Sequence, residues 1–474
     1  MEQFEFENKK RRKLKKEVIW IIACVICMIV GLGGGYFISN HQNSQVAKES
    51  EDIFSQVSQI VNGRFVDTSE SEYSLQERML AGMIAGLGDP HSSYLTSQQA
   101  QDLTTTLNGS FEGIGLSFST ISYGALVLEV FDQSPADKAG ILKGDIITHV
   151  EGTSIAGYDS DKIQSVIKGE KDTKVSVQIL RDGKRQTFQM KRGNVESSVA
   201  YQIRQYKGNQ IGYIRMTTFG DMTAPLVEEA LKSFQKQKIK KICIDLRGNG
   251  GGYLDAAQKI LDYFIPEGEV MYQTQSKNGN KEEYKATSCQ KYVFEKGFIL
   301  VDGDTASASE VMTSALSEVL SYKVIGETTY GKGTVQSQIP FSDSSILKLT
   351  TSKWLTSQGT WVNKKGIKPD YVVKNISLSD FSAAPLKTSY HYDEVNDYIK
   401  NMQKELKTLG YKIDRTDGYF SKKTKQILEK FEKDYGLKVN GVYEKDDAKV
   451  LLSALTHYVY QKAIDLQYQK MLSL

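Results

Sequence analysis

Histidine and cysteine, the side chains most often used for catalysis and metal binding, are scarce here: five and four in 474 residues. The histidines are His41, His91, His149, His391 and His457, and none falls within the Gly-rich or Ser-rich loops described below. A Ser-His-Asp arrangement can be assembled from distant residues, but this placement lowers its standing. No H-E-x-x-H occurs, so a zinc-protease reading fails. Cys24 and Cys27 lie in an apolar run, Cys243 in an apolar strand and Cys289 in a polar stretch. Outside the apolar run there is no C-x-x-C or Cys/His metal spacing, and no metal or cofactor is implied. A Cys243–Cys289 disulfide stays open. The chain also lacks excess charge. Its formal net charge of +3 is accounted for by residues 1–17, where seven Lys/Arg face four Glu. The rest is formally neutral, which gives no support to a nucleic-acid partner.

What is present begins with one long apolar run. Residues 18–38 (VIWIIACVICMIVGLGGGYFI) carry no charge. As a helix of ~1.5 Å per residue they would span ~31 Å, the thickness of a hydrocarbon core. The run is longer than the apolar region of a cleaved signal peptide and no A-x-A-like site follows, which favours an uncleaved anchor. The basic cluster before it places residues 1–17 in the cytoplasm and the remainder outside. Ser74-Leu-Gln-Glu77 then forms a capping box, and Leu75, Met79, Leu80, Met83, Ile84 and Leu87 recur at helical spacing until Gly88 and Pro90. Over 109–193 the period shortens to strands at Ala125–Val130, Ile146–Val150, Lys174–Arg181 and Gln186–Arg192, with short helices near Pro135–Ala139 and Ser160–Ile167. This is the pattern of a small, partly open β-barrel. From 210 to 326 strands (Ile211–Thr217, Lys241–Leu246, Phe298–Val301, Lys323–Ile325) alternate with helices, the signature of a parallel sheet. A polar linker leads to a helical module.

Three loops at strand ends can carry chemistry. Asp245-Leu-Arg-Gly-Asn-Gly-Gly-Gly252 follows an apolar strand and allows backbone N–H groups to approach developing negative charge; it can equally be a plain tight turn. A dinucleotide fingerprint would need glycine where Tyr253 stands. Asp304-Thr-Ala-Ser-Ala-Ser-Glu310 lies between the strand FILV and a helix, so a hydroxyl there sits at a sharp turn beside free N–H groups. Thr305, Ser307 and Ser309 all also qualify as ordinary N-caps. Gly326-Glu-Thr-Thr-Tyr-Gly-Lys-Gly-Thr334 imitates a phosphate loop but has Gly333 where Ser or Thr is required. A Gly-flanked Lys332 can instead reach inward, lose its charge on burial and accept a proton from a serine; the plain alternative is a surface lysine. In an extended segment Gln336 would share its face.

Taken together, GDPHSSYL (88–95), GSFEGIGL (109–116), SPADKAGILKGD (134–145), DLRGNGGGYL (245–254), TASASE (305–310), TTYGKGTVQ (328–336) and GIKPD (366–370) resemble the carboxy-terminal processing, or tail-specific, serine proteases. The resemblance implies Ser307 as nucleophile, Lys332 as general base and Gln336 as its positioning partner. It implies an oxyanion hole from Gly252 and Ala308, with Gly251 a close competitor for the first place. The segment 109–193 resembles a PDZ domain whose loop Gly113-Ile114-Gly115-Leu116 would grip a substrate's terminal carboxylate. Residues 394–455 resemble a peptidoglycan-binding module, although Glu432 stands where the pattern has Gln.

The expected architecture is multidomain α/β. It runs through a cytoplasmic tail (1–17), a transmembrane helix (18–38), a helical region (50–108) that family analogy makes a homodimer contact, and the PDZ partly open β-barrel (109–193). A crotonase/ClpP-like protease core with a parallel sheet (194–375), a linker (376–391), a small peptidoglycan-binding-like helical bundle (392–458) and a final helix (459–474) follow. The expected partners are protein substrates with accessible C-terminal tails, the membrane and peptidoglycan. The rival is a wall-tethered PDZ scaffold without catalysis.

Overall fold

The computed structural model describes residues 53–67, 71–107, 110–131, 133–196, 198–206, 209–287, 292–381 and 385–474. The anchor expected over 18–38 lies outside the described residues, as does Cys289. Among the described residues no helix is long and apolar enough to cross a membrane. The chain divides into two compact units, Met1–Gly88 and Asp89–Leu474.

In the first unit, residues 53–64 are helical and a second helix runs Leu75–Ala85. Its capping box is formed: the Ser74 hydroxyl accepts from Glu77 N–H at 3.2 Å and Glu77 accepts from Ser74 N–H at 2.8 Å. The helix stops at Gly86, two residues before the expected Gly88.

The second unit contains the PDZ-like body. Its strands follow the sheet path Leu116–Ile121, Gly124–Val130, Ile146–Val150, Lys174–Arg181, Lys184–Lys191, all antiparallel. Asp182 and Gly183 both have positive φ (48° and 73°), the two-residue hairpin that matches strand twist. Helices Pro135–Ala139 and Ser160–Ile167 fall as expected, each capped by the side chain of the preceding residue, Ser134 or Asp159.

The core expected over 194–375 is built on a six-stranded sheet ordered Val199–Tyr206, Asn209–Met216, Lys241–Asp245, Lys296–Val301, Lys323–Gly326, Tyr371–Val372. Only the first pair is antiparallel. Because side chains alternate along a strand, Ile242, Ile244, Ile299 and Val301 face one side and Cys243, Phe298 and Leu300 the other. Helices Thr223–Lys236, Leu254–Phe264 and Ala308–Leu320 supply apolar side chains to the core on the first side. The second side packs against a helix at the far end of the sequence, Leu466–Leu472, through Tyr468, Met471 and Leu472. Cys243 is fully buried there as a free thiol, and burial raises its pKa. A second, antiparallel sheet, built from Ser93–Leu95, Val270–Ser276, Lys281–Lys285, Thr334–Pro340 and Ile346–Thr356, was not expected from the sequence.

The C-terminal module packs helices Asp397–Thr408, Lys422–Asp434 and Lys445–His457 around Met402, Leu406, Phe420, Leu428 and Phe431. Leu386 and Tyr390, in the stretch expected as linker, belong to that core. Glu432 is buried and accepts the N–H groups of Asn440 (2.8 Å) and Gly441 (3.0 Å), so the departure from Gln braces the Asn440–Gly441 turn. The module leans on the PDZ-like body: Tyr435 donates to Asp182 (3.1 Å), Gly183 N–H to Ser453 (3.3 Å) and Thr456 to the Gly144 carbonyl (2.7 Å).

Candidate active site

The strand Lys296–Val301 ends at the turn that presents Ser307. The three hydroxyls of that turn are not equivalent. Thr305 is buried and donates to the Leu246 carbonyl (3.0 Å) and Asp302 (3.1 Å), while buried Ser309 donates to the Asn249 carbonyl (2.9 Å). Ser307 is half-buried, and its hydroxyl donates to no group among the described residues. Its backbone sits at φ 58°, ψ −119°, a conformation that costs a non-glycine residue about 1–3 kcal/mol and persists only when its surroundings impose it.

Glu310 imposes it. This carboxylate is fully buried and each oxygen accepts two hydrogen bonds. Oε2 takes the backbone N–H groups of Ser307 and Lys332, both at 2.9 Å; Oε1 takes the Thr329 hydroxyl at 2.5 Å and Gly331 N–H at 2.7 Å. One oxygen shared at those lengths holds the Ser307 and Lys332 nitrogens at most about 5.8 Å apart. In the sequence Glu310 shows only as the end of the TASASE run, and the Ser307-x-x-Glu310 spacing of a capping box is its one local signal.

The flanking glycines let Lys332 occupy this place. Gly331 has φ +82°, and a Cβ on it would come within 2.7 Å of the Gly366 nitrogen. A Cβ on Gly333 would meet the Trp361 indole nitrogen at 2.6 Å. Trp354 and Trp361 donate to the carbonyls of Lys332 (2.7 Å) and Gly333 (2.8 Å). Among the described residues the Lys332 amine has no hydrogen-bond or ion-pair partner. Its pKa is lowered, first by burial and then by the charge of Lys348, with Asp89 and Glu310 opposing. The sequence places His91 apart from the Gly-rich and Ser-rich loops, and the fold sets it within electrostatic range of the third loop through Lys332. Its pKa is lowered by burial and then by the charge of Lys332.

Gln336 is on the strand Thr334–Pro340, but Lys332 precedes that strand and a bulge separates Val335 from Gln336. The simple alternation expected between Lys332 and Gln336 is therefore broken. The Gln336 amide donates to Thr334 (3.0 Å) and Thr350 (3.1 Å), leaving Oε1 without a donor among the described residues.

The Gly-rich loop lies directly against Ser307. A Cβ on Gly251, where φ is +103°, would meet the Ser307 Cβ at 2.9 Å and the Ala308 nitrogen at 3.1 Å. Gly251 N–H is spent on the Asn249 side chain (2.9 Å), whereas the N–H groups of Gly252 and Ala308 have no acceptor among the described residues. Asn249 itself was not singled out in the sequence. Its side-chain amide donates to the Met216 carbonyl (3.0 Å) and its backbone carbonyl accepts from Ala306 N–H (3.0 Å), tying the two loops together.

Gly113, Ile114, Gly115 and Leu116 lie away from this cluster, on a cavity of ~1170 Å3 that continues past Ser160, Gln164 and Ile167 to Asp245 and Arg247. Gly115 has φ +83°, and its carbonyl accepts from Phe131 N–H and the Ser134 hydroxyl (both 3.1 Å). At the far wall Arg215 forms a two-pronged pair with Glu129 of the PDZ-like body, 2.6 Å at each prong. Among the described residues no group of three or more His, Cys, Asp or Glu is placed to hold a metal ion.

Comparison with known proteins identifies the family. Residues 210–373 match the model of peptidase family S41, 113–191 that of the PDZ domain and 396–451 that of a peptidoglycan-binding domain. The carboxy-terminal processing protease CtpB of Bacillus subtilis (strain 168) is 35% identical over 416 residues, covering 87% of this chain and 86% of that protein. CtpA of the same organism is 32% identical over 451 residues, covering 94% of this chain and 95% of its own. Among solved structures, the photosystem II D1 C-terminal processing protease is 26% identical, with a TM-score of 0.45 over 66% of this chain and 86% of that one. The chain belongs to peptidase family S41, the carboxy-terminal processing serine proteases.

Proposed function

We propose that this chain is a membrane-anchored, extracytoplasmic endopeptidase that selects proteins by their C-terminal tails and cleaves them with a Ser307–Lys332 pair. One observation carries the reading: Glu310 fixes the backbones of Ser307 and Lys332 to a single oxygen while the hydroxyl proton and the amine stay unspent.

Attack of Ser307 Oγ on the scissile carbonyl passes the hydroxyl proton to neutral Lys332 and puts negative charge on the carbonyl oxygen. The unspent N–H groups of Gly252 and Ala308 suit that oxygen, and Gly251, its own N–H engaged, supports the loop instead. Breaking the C–N bond leaves Ser307 acylated, and the Lys332 ammonium returns its proton to the departing amine. Water, deprotonated by Lys332, then releases the acid and regenerates the hydroxyl. Burial supports the neutral amine that this sequence needs, because it lowers the Lys332 pKa. Gln336 Oε1, free of other donors, is suited to orient the amine.

The loop Gly113–Leu116 receives the tail's carboxylate in the PDZ groove. The apolar run 18–38 anchors the chain with residues 1–17 in the cytoplasm, the C-terminal module meets peptidoglycan, and the helical region 50–108 pairs two copies. Cleavage of a tailed peptide by wild type and by Ser307→Ala tests the assignment. Loss of cleavage with unchanged peptide binding is expected; persistence of cleavage overturns the assignment. Were the chain a tail-binding scaffold, wild type would bind the peptide and leave it intact.

A further inference from the structure

The Gly-rich loop begins at Arg247, and Arg247 is held from two sides. One edge of its guanidinium pairs with Asp245: Nε donates to Oδ1 at 2.9 Å and Nη2 to Oδ2 at 2.5 Å. Asp245 also accepts from the Tyr213 hydroxyl at 2.5 Å. The third nitrogen, Nη1, reaches across the sheet end to a residue 218 positions later, donating to both oxygens of Asp465 at 2.9 Å. Asp465 lies outside the stretch 210–373 that carries the protease family's match. It is also the N-cap of the helix Leu466–Leu472, accepting from Tyr468 N–H at 3.0 Å.

This corner leads straight into the site. Gly248 N–H donates to Asp302 (3.0 Å), which also holds Thr305. Asn249 follows and ties the loop to the Ser307 turn through Ala306 and Ser309. The path from Asp465 thus runs through a hydrogen bond to Arg247, along the backbone to Asn249, and by hydrogen bonds to Ala306 and Ser309, which flank Ser307. Asp465 is further tied by the Asn375 amide (3.0 Å), so its carboxylate is fixed rather than free to follow the arginine. The helix it caps is docked by the apolar contacts of Tyr468, Met471 and Leu472 on the sheet.

We propose that Asp465 is a positioning residue for catalysis: by holding Arg247 it sets the Gly248–Gly252 loop against Ser307, so that cleavage requires the C-terminal tail to be docked on the core. The inference rests on the reading of Ser307 as nucleophile. It makes the segment beyond the peptidoglycan-binding module a working part of the active site.

The test uses the full chain with Cys24, Cys27 and Cys289 replaced by serine, leaving Cys243 as the sole thiol. Asp465→Ala, Asp465→Asn and Asp465→Glu are compared by kcat and KM on a tailed peptide, by the rate of fluorophosphonate labelling of Ser307, by thiol-reagent access to Cys243, and by hydrogen exchange of the 247–252 amides. For Asp465→Ala we expect kcat and the labelling rate to fall at least about tenfold, as for an interaction used in the transition state. KM should stay within about twofold, exchange over 247–252 should rise, and Cys243 should remain protected. Asp465→Glu should recover most of the rate. The proposal is overturned if exchange and kcat are unchanged while Cys243 stays protected. It is equally overturned if every loss of activity is matched by exposure of Cys243, because Asp465 then only anchors the helix. A wild type that neither cleaves nor labels refutes the Ser307 reading alone, since the exchange measurement still reports whether Asp465 orders the loop.

Discussion

Glu310 separates a stability effect from a catalytic one, and replacing it by Gln and by Ala draws the line. An amide has one acceptor oxygen, so Glu310→Gln must place its NH2 toward one of two pairs of donors. On the Oε2 side it would face two backbone N–H groups that cannot turn away, those of Ser307 and Lys332. On the Oε1 side it faces the Thr329 hydroxyl, which can rotate to accept, and Gly331 N–H. The second orientation wins and leaves one buried donor unpaired, a cost of roughly 1–3 kcal/mol. For a core of this size that shifts the unfolding midpoint by about 3–10 °C. The contacts to Ser307 and Lys332 survive, so kcat should stay within about tenfold of wild type. Glu310→Ala removes both oxygens and frees the Ser307 turn from its strained φ. A displacement of about 1 Å can cost some 100-fold, so a kcat loss of at least that size is expected. The assays are thermal unfolding and steady-state cleavage of one tailed peptide. Folded Glu310→Ala with near-wild-type kcat would refute the argument, as would Gln and Ala variants equally depressed in kcat but unequal in midpoint.

Three further outcomes follow from the geometry. Gly251→Ala puts a Cβ into a positive-φ position, 2.9 Å from the Ser307 Cβ, and should abolish cleavage while PDZ binding of the tail persists; normal turnover would show that the loop yields. Because burial lowers the Lys332 pKa, the rate should rise with pH through a group below 10.5, and Lys332→Arg, which stays charged, should be inactive across that range; a flat wild-type profile would speak against neutral Lys332 as base. Burial pushes Glu405, on the C-terminal module, up to about 8 from its usual 4.5, so the folded state holds a proton that the unfolded state has lost. Stability from this group is complete below pH about 4.5 and falls as pH rises toward 8, and Glu405→Gln should flatten that slope in unfolding experiments from pH 5 to 8. An identical slope in the variant would assign the pH dependence elsewhere.

The parallel core was legible because its strands are short apolar runs bounded by turn residues, and Ile242–Ile244 or Phe298–Val301 admit little else. The Ser307 turn and the Gly251–Gly252 loop were legible because each follows such a run. The second sheet was not, since Thr334–Pro340 and Lys281–Lys285 are half-exposed, polar strands without a buried face to impose a period. Glu310 carried a local signal but only as a helix cap; its contacts to Thr329, Gly331 and Lys332 exist through the fold alone. His91 and Asp89 reach Lys332, and Asp465 reaches Arg247, across separations that no periodicity records. Resemblance put Gly252 ahead of Gly251, but what distinguishes the two glycines physically is visible only in the fold, where the Asn249 side chain occupies the Gly251 N–H.

The helix Leu466–Leu472 covers a sheet whose last strand, Tyr371–Val372, precedes it by more than ninety residues. A chain leaving the ribosome therefore produces every strand of that sheet, and the Ser307 turn, well before the segment that shields Cys243, Phe298 and Leu300. Until then the sheet presents an apolar face to whatever surrounds it, and folding intermediates with such faces stick to one another. Completion of this layer is therefore a late step in the synthesis of the chain.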